Sequence, residues 1–234
     1  MSIKTQYVNL NIANGSGMLA YTAKPYTTSA GTPAIIVLQE AFGVNGHIRK
    51  VTERFAQEGY IAIAPELFHR TAPEKFEGSY DNFPAVMPHM QALTPEGLTA
   101  DLQAAYQWLT QQPIDQDKIY SVGYCLGGRV SFLANAILPL KAGVSYYGGG
   151  VDQLADKAPD LHGRHLFFWG GKDQHIKPEN IQNIIQAVEN AGKDYVNVKF
   201  SYADHGFNCD ERASYNEAAS KEAWALTLAF LKNN

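Results

Sequence analysis

The stretch Val122-Gly123-Tyr124-Cys125-Leu126-Gly127-Gly128 sets a nucleophile between glycines two residues to either side, where a strand-like apolar run meets a helix-like one. This is the pattern of a nucleophile elbow with cysteine where serine usually stands. The glycines have a physical reason: on so tight a turn strand and helix must approach closely, and side chains at those positions would hold them apart. The turn presents Cys125 beside the amino end of a helix, whose partial positive charge favours a thiolate. Such a nucleophile needs a base and an acid that orients the base, in chain order acid then histidine. Phe168-Trp169-Gly170-Gly171-Lys172-Asp173 puts an aspartate just past a strand, and Tyr202-Ala203-Asp204-His205-Gly206-Phe207 puts a histidine just past the next. Both fall at the sheet edge that carries Cys125, so Cys125, Asp173 and His205 form the candidate triad. Asp204 is the competing acid, but a residue adjacent to the histidine generally points elsewhere. Among the other histidines, His47, His69 and His89 precede the nucleophile, His165 begins a strand and His175 lies in the acid's own turn. A plainer reading stays open: an incidental buried cysteine in a glycine-rich turn, and a solvent-exposed loop histidine.

Acyl transfer at such a site also needs donors for the oxyanion. Leu38-Gln39-Glu40-Ala41-Phe42-Gly43 follows the first parallel strand, where this architecture takes its second oxyanion amide. The expected donors are the backbone N–H groups of Ala41 and Leu126. Glu40 is a carboxylate aimed at the same site, or alternatively a surface-loop residue pairing with Arg49 or Lys50. Phe42, Tyr124, Tyr147, Trp169 and Phe207 are the aromatics expected to line an apolar pocket, although each fits a core position equally well.

These residues need a scaffold that alternates short apolar runs with amphipathic ones, which is the signature of strands joined by helical crossovers. Strands are expected at 34–38, 61–65, 118–122, 142–147, 165–169 and 196–202. Helices are expected at 48–58, closed by Gly59, at 94–111 with Thr94 as cap and Pro95 at the first helical position, from 126, at 178–191 and at 214–231. Segments 4–12 and 17–23 alternate and pair as an antiparallel edge. The proline-punctuated stretch 66–94 has no clear period and reads as a long loop with at most one helical turn, the only room for a lid. No composition break marks a second domain, so residues 1–234 are expected to form a single one.

Composition removes several function classes. The 234 residues carry 19 Lys+Arg against 23 Asp+Glu, a net charge of −4, with no basic stripe of the kind a nucleic-acid binder shows. No apolar run nears the roughly 20 residues of a membrane helix. Residues 1–7 lack a signal-peptide pattern, and the expected location is the cytoplasm. The two cysteines, Cys125 and Cys209, are then free thiols, and Asn14-Gly15-Ser16 is a turn signal only. His162-Gly163-Arg164-His165 lacks a third ligand in frame, and the chemistry requires neither metal nor cofactor.

In these four motifs, Gly-Tyr-Cys-Leu-Gly-Gly, Gln-Glu-Ala-Phe-Gly, Gly-Gly-Lys-Asp and Asp-His-Gly-Phe, the chain resembles the dienelactone hydrolase family over nearly its whole length. The resemblance implies an α/β-hydrolase fold, with a mostly parallel central sheet flanked by helices on both faces and an antiparallel N-terminal edge. It implies a Cys125-His205-Asp173 triad, and gives Glu40 the place of the family's additional glutamate, which interacts with the thiol. It implies hydrolysis of a carboxylic ester or lactone, of carboxymethylenebutenolidase type, through an acyl-enzyme. Family members that cleave dienelactone hold its carboxylate with arginines, one of them shortly after the catalytic histidine. Here Cys209 stands at that position and the nearest arginine is Arg212, while no arginine follows Arg70 until Arg129. The expected partner is a small-molecule ester or lactone, with no nucleic acid or membrane, and the protein a monomer or small homo-oligomer. A thioester or peptide hydrolase on the same triad, or a non-catalytic thiol protein of this fold, are the rival readings.

Overall fold

The computed structural model describes residues 2–13 and 15–234, in two compact units, Met1–Ile119 and Tyr120–Asn234. The turn signal at Asn14 lies outside the described residues.

In the first unit, β1 (Ile3–Asn11) and β2 (Gly17–Pro25) pair antiparallel, as their alternation predicts. Strand β2 also pairs antiparallel with β4 (Ile61–Pro65), and β4 runs parallel to β3 (Ala34–Leu38). Every residue of β3 and β4 is buried, which is why both read as unbroken apolar runs rather than alternating ones. Helix α1 (Gly46–Gln57) opens at Asn45, whose side chain accepts the N–H of Ile48, and it buries Ile48, Val51, Phe55 and Ala56 on one stripe. The chain leaves it at Gly59, with φ +99°. Helix α3 (Pro95–Thr110) starts as read, with Thr94 accepting from Gly97 N and Pro95 in the first turn.

The stretch 66–94 departs from the loop expectation, because it holds a nine-residue helix, α2 (Phe83–Gln91), with Pro88 inside it. Only Val86 of this helix is buried, so no periodic stripe announces it. Val86 packs with Ala41 and Phe42, and Phe76, Tyr80 and Met90 close around them. Phe42 O accepts from Gly78 N, Tyr80 Oη from Asn45 Nδ2, and Glu77 from Arg49. Long-range contacts, not local propensity, hold this segment onto the turn after β3.

The second unit is parallel throughout, in the order β5 (Ile119–Tyr124), β6 (Ala142–Tyr146), β7 (Arg164–Gly170), β8 (Tyr195–Phe200). Helix α4 (Leu126–Ile137) packs on β6. A 3₁₀ segment at Val151–Asp160, where no element is expected from the sequence, packs against α4 and α5 (Pro178–Asn190). Helix α6 (Glu217–Lys232) begins three residues later than expected because Asn216 caps it, accepting from Ala219 N.

A buried polar chain ties α4 to the sheet. Asn135 Nδ2 donates to His165 Nδ1 (3.2 Å), His165 Nε2 meets Ser145 Oγ (2.8 Å), and Ser145 Oγ donates to Gly128 O (2.6 Å). With its hydroxyl proton used on Gly128, Ser145 accepts from His165, which makes His165 a neutral Nε2–H tautomer. Burial pushes the His165 pKa down from 6.5 to about 3. A depressed histidine contributes stability above its unfolded pKa of 6.5 and loses it as pH falls toward about 3. The urea midpoint is therefore expected to drop across that interval. In His165→Asn, less stable at neutral pH, the drop should be shallower.

Candidate active site

Cys125 sits between β5 and α4 with φ +54° and ψ −116°, one of three non-glycine residues with positive φ among those described. Holding a side chain there costs about 1–3 kcal/mol. The surrounding backbone enforces it: Cys125 N donates to Tyr146 O (3.0 Å), and Cys125 O accepts from Gly128 N (3.0 Å). A methyl group on Gly123 would lie 1.8 Å from Gly127 O and 2.2 Å from its carbonyl carbon. On Gly128 it would lie 2.7 Å from Gly148 Cα. Gly123 is thus required by the approach of β5 to α4, and Gly128 by the approach of α4 to the chain leaving β6. Leu126 opens α4, so its N–H has no carbonyl one turn earlier to bond.

His205 Nδ1 donates to Asp173 Oδ2 at 2.7 Å, and both side chains are nearly fully buried. That leaves Nε2 for the hydrogen bond His205 makes with Cys125. The other oxygen of Asp173 accepts the backbone N–H groups of His175 (2.7 Å) and Ile176 (3.1 Å). Burial works against the charge on Asp173, but the hydrogen bond and charge of His205 and those two amides outweigh it, holding the carboxyl below its ordinary range. Burial likewise works against a charged His205, and the Cys125 charge with the Asp173 bond reverses it, pushing the imidazole up to about 10. Arg129, on the first turns of α4, also feels the Cys125 charge: burial lowers its pKa and the sulfur opposes that. Asp204 spends Oδ1 on the backbone N–H of His205 (2.6 Å), which separates the two candidate acids.

A histidine whose folded pKa is raised contributes stability that is fully present below its unfolded pKa of 6.5 and lost as pH rises through about 10. The stability gap between wild type and His205→Asn is expected to be widest near pH 6 and to close above about pH 10. Paired urea titrations across that range measure it.

The remaining expected residues divide between the units. Tyr124, Trp169 and Phe207 are at most 1% exposed. Trp169 donates its indole N–H to Asn197 Oδ1 (2.6 Å) and stacks on Phe167, while Tyr124 lies against Tyr146 and Tyr147, and Phe207 against Tyr147 and Phe200. Cys209 is a buried free thiol. The Arg212 guanidinium lies over Gly206, so close that a methyl group there would sit 2.4 Å from Nη1. In the first unit, Glu40 and Ala41 are fully buried and Phe42 nearly so, in a turn closed by a Glu40–Gly43 bridge. Glu40 is therefore not a surface-loop residue, and Arg49 pairs with Glu77 instead. Two rings absent from the expected triad touch His205: Tyr147 at 5.1 Å and His175 at 5.2 Å between centroids. The run Tyr147-Gly148-Gly149-Gly150, directly after a strand, was the available signal for the first.

Among the described residues, eight strands, parallel but for the antiparallel edge of β1 and β2, with helices between them and a tight strand-to-helix turn at Cys125 after β5, define an α/β-hydrolase. The sequence model of the dienelactone hydrolase family matches residues 18–234, and the chain belongs to that family. It is 30% identical to the carboxymethylenebutenolidase of Pseudomonas putida over 229 residues, covering 97% of this chain and 96% of that one. A Salmonella typhimurium protein provisionally named carboxymethylenebutenolidase is 35% identical over 226 residues, 92% of this chain and 83% of its own. The crystal structure of a Klebsiella pneumoniae protein provisionally named dienelactone hydrolase superposes with a TM-score of 0.90 at 33% identity, covering both chains fully. The protein is a hydrolase of the dienelactone hydrolase type.

Proposed function

We propose that the protein cleaves a carboxylic ester or lactone through an acyl-enzyme on Cys125, with His205 as base and acid and Asp173 as its orienting partner. The observation that supports this most is His205, hydrogen-bonded at once to Asp173 and to a cysteine held on a strained elbow. The Cys125 thiolate attacks the carbonyl, the oxyanion takes the amide of Leu126 at the open end of α4, and His205 hands its proton to the leaving oxygen. His205 then activates water, and hydrolysis of the thioester returns the thiolate. Tyr124, Trp169, Phe207 and Arg212 remain the proposed substrate-side residues of the second unit, and Phe42 that of the first. The substrate is a small molecule, and a cytoplasmic location belongs to the same reading. Among the described residues no helix is long and apolar enough to cross a membrane. A single hydrolase domain is also inferred, because the family match runs across the boundary at Ile119.

The test is intact mass spectrometry of the enzyme quenched during p-nitrophenyl acetate turnover. An acetyl group on Cys125 is expected, absent in Cys125→Ala. Turnover with the acyl group on another residue would overturn the mechanism. A parallel screen of short aryl esters against acidic lactones is expected to favour the neutral esters, since Cys209 stands where an arginine would hold a carboxylate.

A further inference from the structure

Tyr147 directly follows β6 and has φ +39°, a conformation that glycine and asparagine tolerate far better. Three glycines follow it and the last, Gly150, also has a positive φ (+76°), but the turn directly after β6 is taken by the tyrosine. Its N–H donates to Phe168 O at 2.8 Å, and its side chain is fully buried. The backbone turn swings the ring back against His205, with centroids 5.1 Å apart and planes at 59°. Phe207 holds the ring from another side, at 5.1 Å and 75°. A strain of about 1–3 kcal/mol is retained only where the surroundings over-determine it, and such outliers cluster at functional sites. At this separation, inside the roughly 6 Å over which an aromatic quadrupole attracts a cation, the ring favours a protonated imidazole over a neutral one.

We infer that Tyr147 is a positioning residue that holds the imidazolium form of His205 through its aromatic ring, rather than a residue that contacts substrate. This deepens the triad mechanism and rests on it. The charged and titratable groups of the second unit that face His205 are Cys125 and Asp173 by hydrogen bond, His175 by its ring, Asp204 at the backbone N–H, and Arg212 beside Gly206. Cys125 and Asp173 favour the same protonated state, so the effect of Tyr147 is an increment on theirs.

The test replaces Tyr147 by phenylalanine and then by phenylalanines of increasing ring fluorination, which weaken the quadrupole while keeping the shape that fills the core. His205 titration is followed by NMR with labelled histidine, beside kcat and KM on p-nitrophenyl acetate. The titration midpoint is expected to fall stepwise along the series, by about one pH unit in all, with KM unchanged. A midpoint that stays fixed across the series, or a rise in KM alone, overturns the inference. The NMR readout does not depend on turnover, so a Cys125→Ala enzyme that still hydrolyses ester would refute the triad without being mistaken for a failure of Tyr147.

Discussion

Cys125→Ala is expected to lower ester hydrolysis by at least about four orders of magnitude, the scale on which loss of a triad member acts. The reason is that no other group in the second unit combines the elbow with a bond to His205. The fold should survive. Alanine adopts φ +54° with no more difficulty than cysteine, the backbone bonds to Tyr146 O and from Gly128 N do not involve the side chain, and no disulfide is lost. Far-ultraviolet circular dichroism is expected to be unchanged. The variant should nevertheless lose the Cys125 contribution that keeps His205 protonated, so its His205 midpoint falls below that of the parent. Ester turnover that persists in a folded Cys125→Ala protein would remove Cys125 as the nucleophile.

Gly123→Ala is expected to have the largest effect on stability of any single methyl addition in the second unit. The new carbon would lie 1.8 Å from Gly127 O, 2.2 Å from Gly127 C and 2.8 Å from Gly128 N. All three are backbone atoms, so no side chain can rotate away, and either β5 or the first turn of α4 must move. Overpacking in a rigid core costs typically about 1–3 kcal/mol, and a backbone clash this severe belongs at or above the upper end. Whatever folded protein remains should have lost activity, because relief of the clash displaces Cys125 from His205. Chemical denaturation and thiol alkylation rates measure the two effects separately. A Gly123→Ala protein with wild-type stability would show that the elbow does not need its glycine. Gly59→Ala is the contrasting case: it meets nothing within 4 Å, so its cost is confined to the strain of φ +99°.

Much of this architecture is legible in the amino-acid order. Strands β3 and β4 announce themselves as short β-branched runs, and Thr94-Pro95 and Gly59 mark helix ends, because capping and turn chemistry act over three or four residues. Elements held by distant partners are not legible there. Helix α2 contains Pro88 and buries one side chain, so its existence depends on Phe42 and Ala41, some forty residues earlier. The start of α6 at Glu217 is a different case: its cap, from Asn216 to Ala219 N, is local, but several neighbouring polar residues could equally have capped the helix.

The sequence by itself determined the chemistry available: a cysteine between spaced glycines, an aspartate and a histidine each just past a strand, and no charge excess that would direct the chain to nucleic acid. These are local facts, set by residue type and by the short range of backbone sterics. Tertiary structure decided how the groups are used. It turned Asp173 toward the His205 ring and Asp204 toward its backbone N–H, withdrew Trp169 into a bond with Asn197, and neutralised His165 in a buried chain to Gly128. It also bent Tyr147 onto the His205 imidazole. Each of these outcomes depends on which low-dielectric neighbours meet in space, and packing between residues far apart in the chain leaves no periodic trace in the order of amino acids.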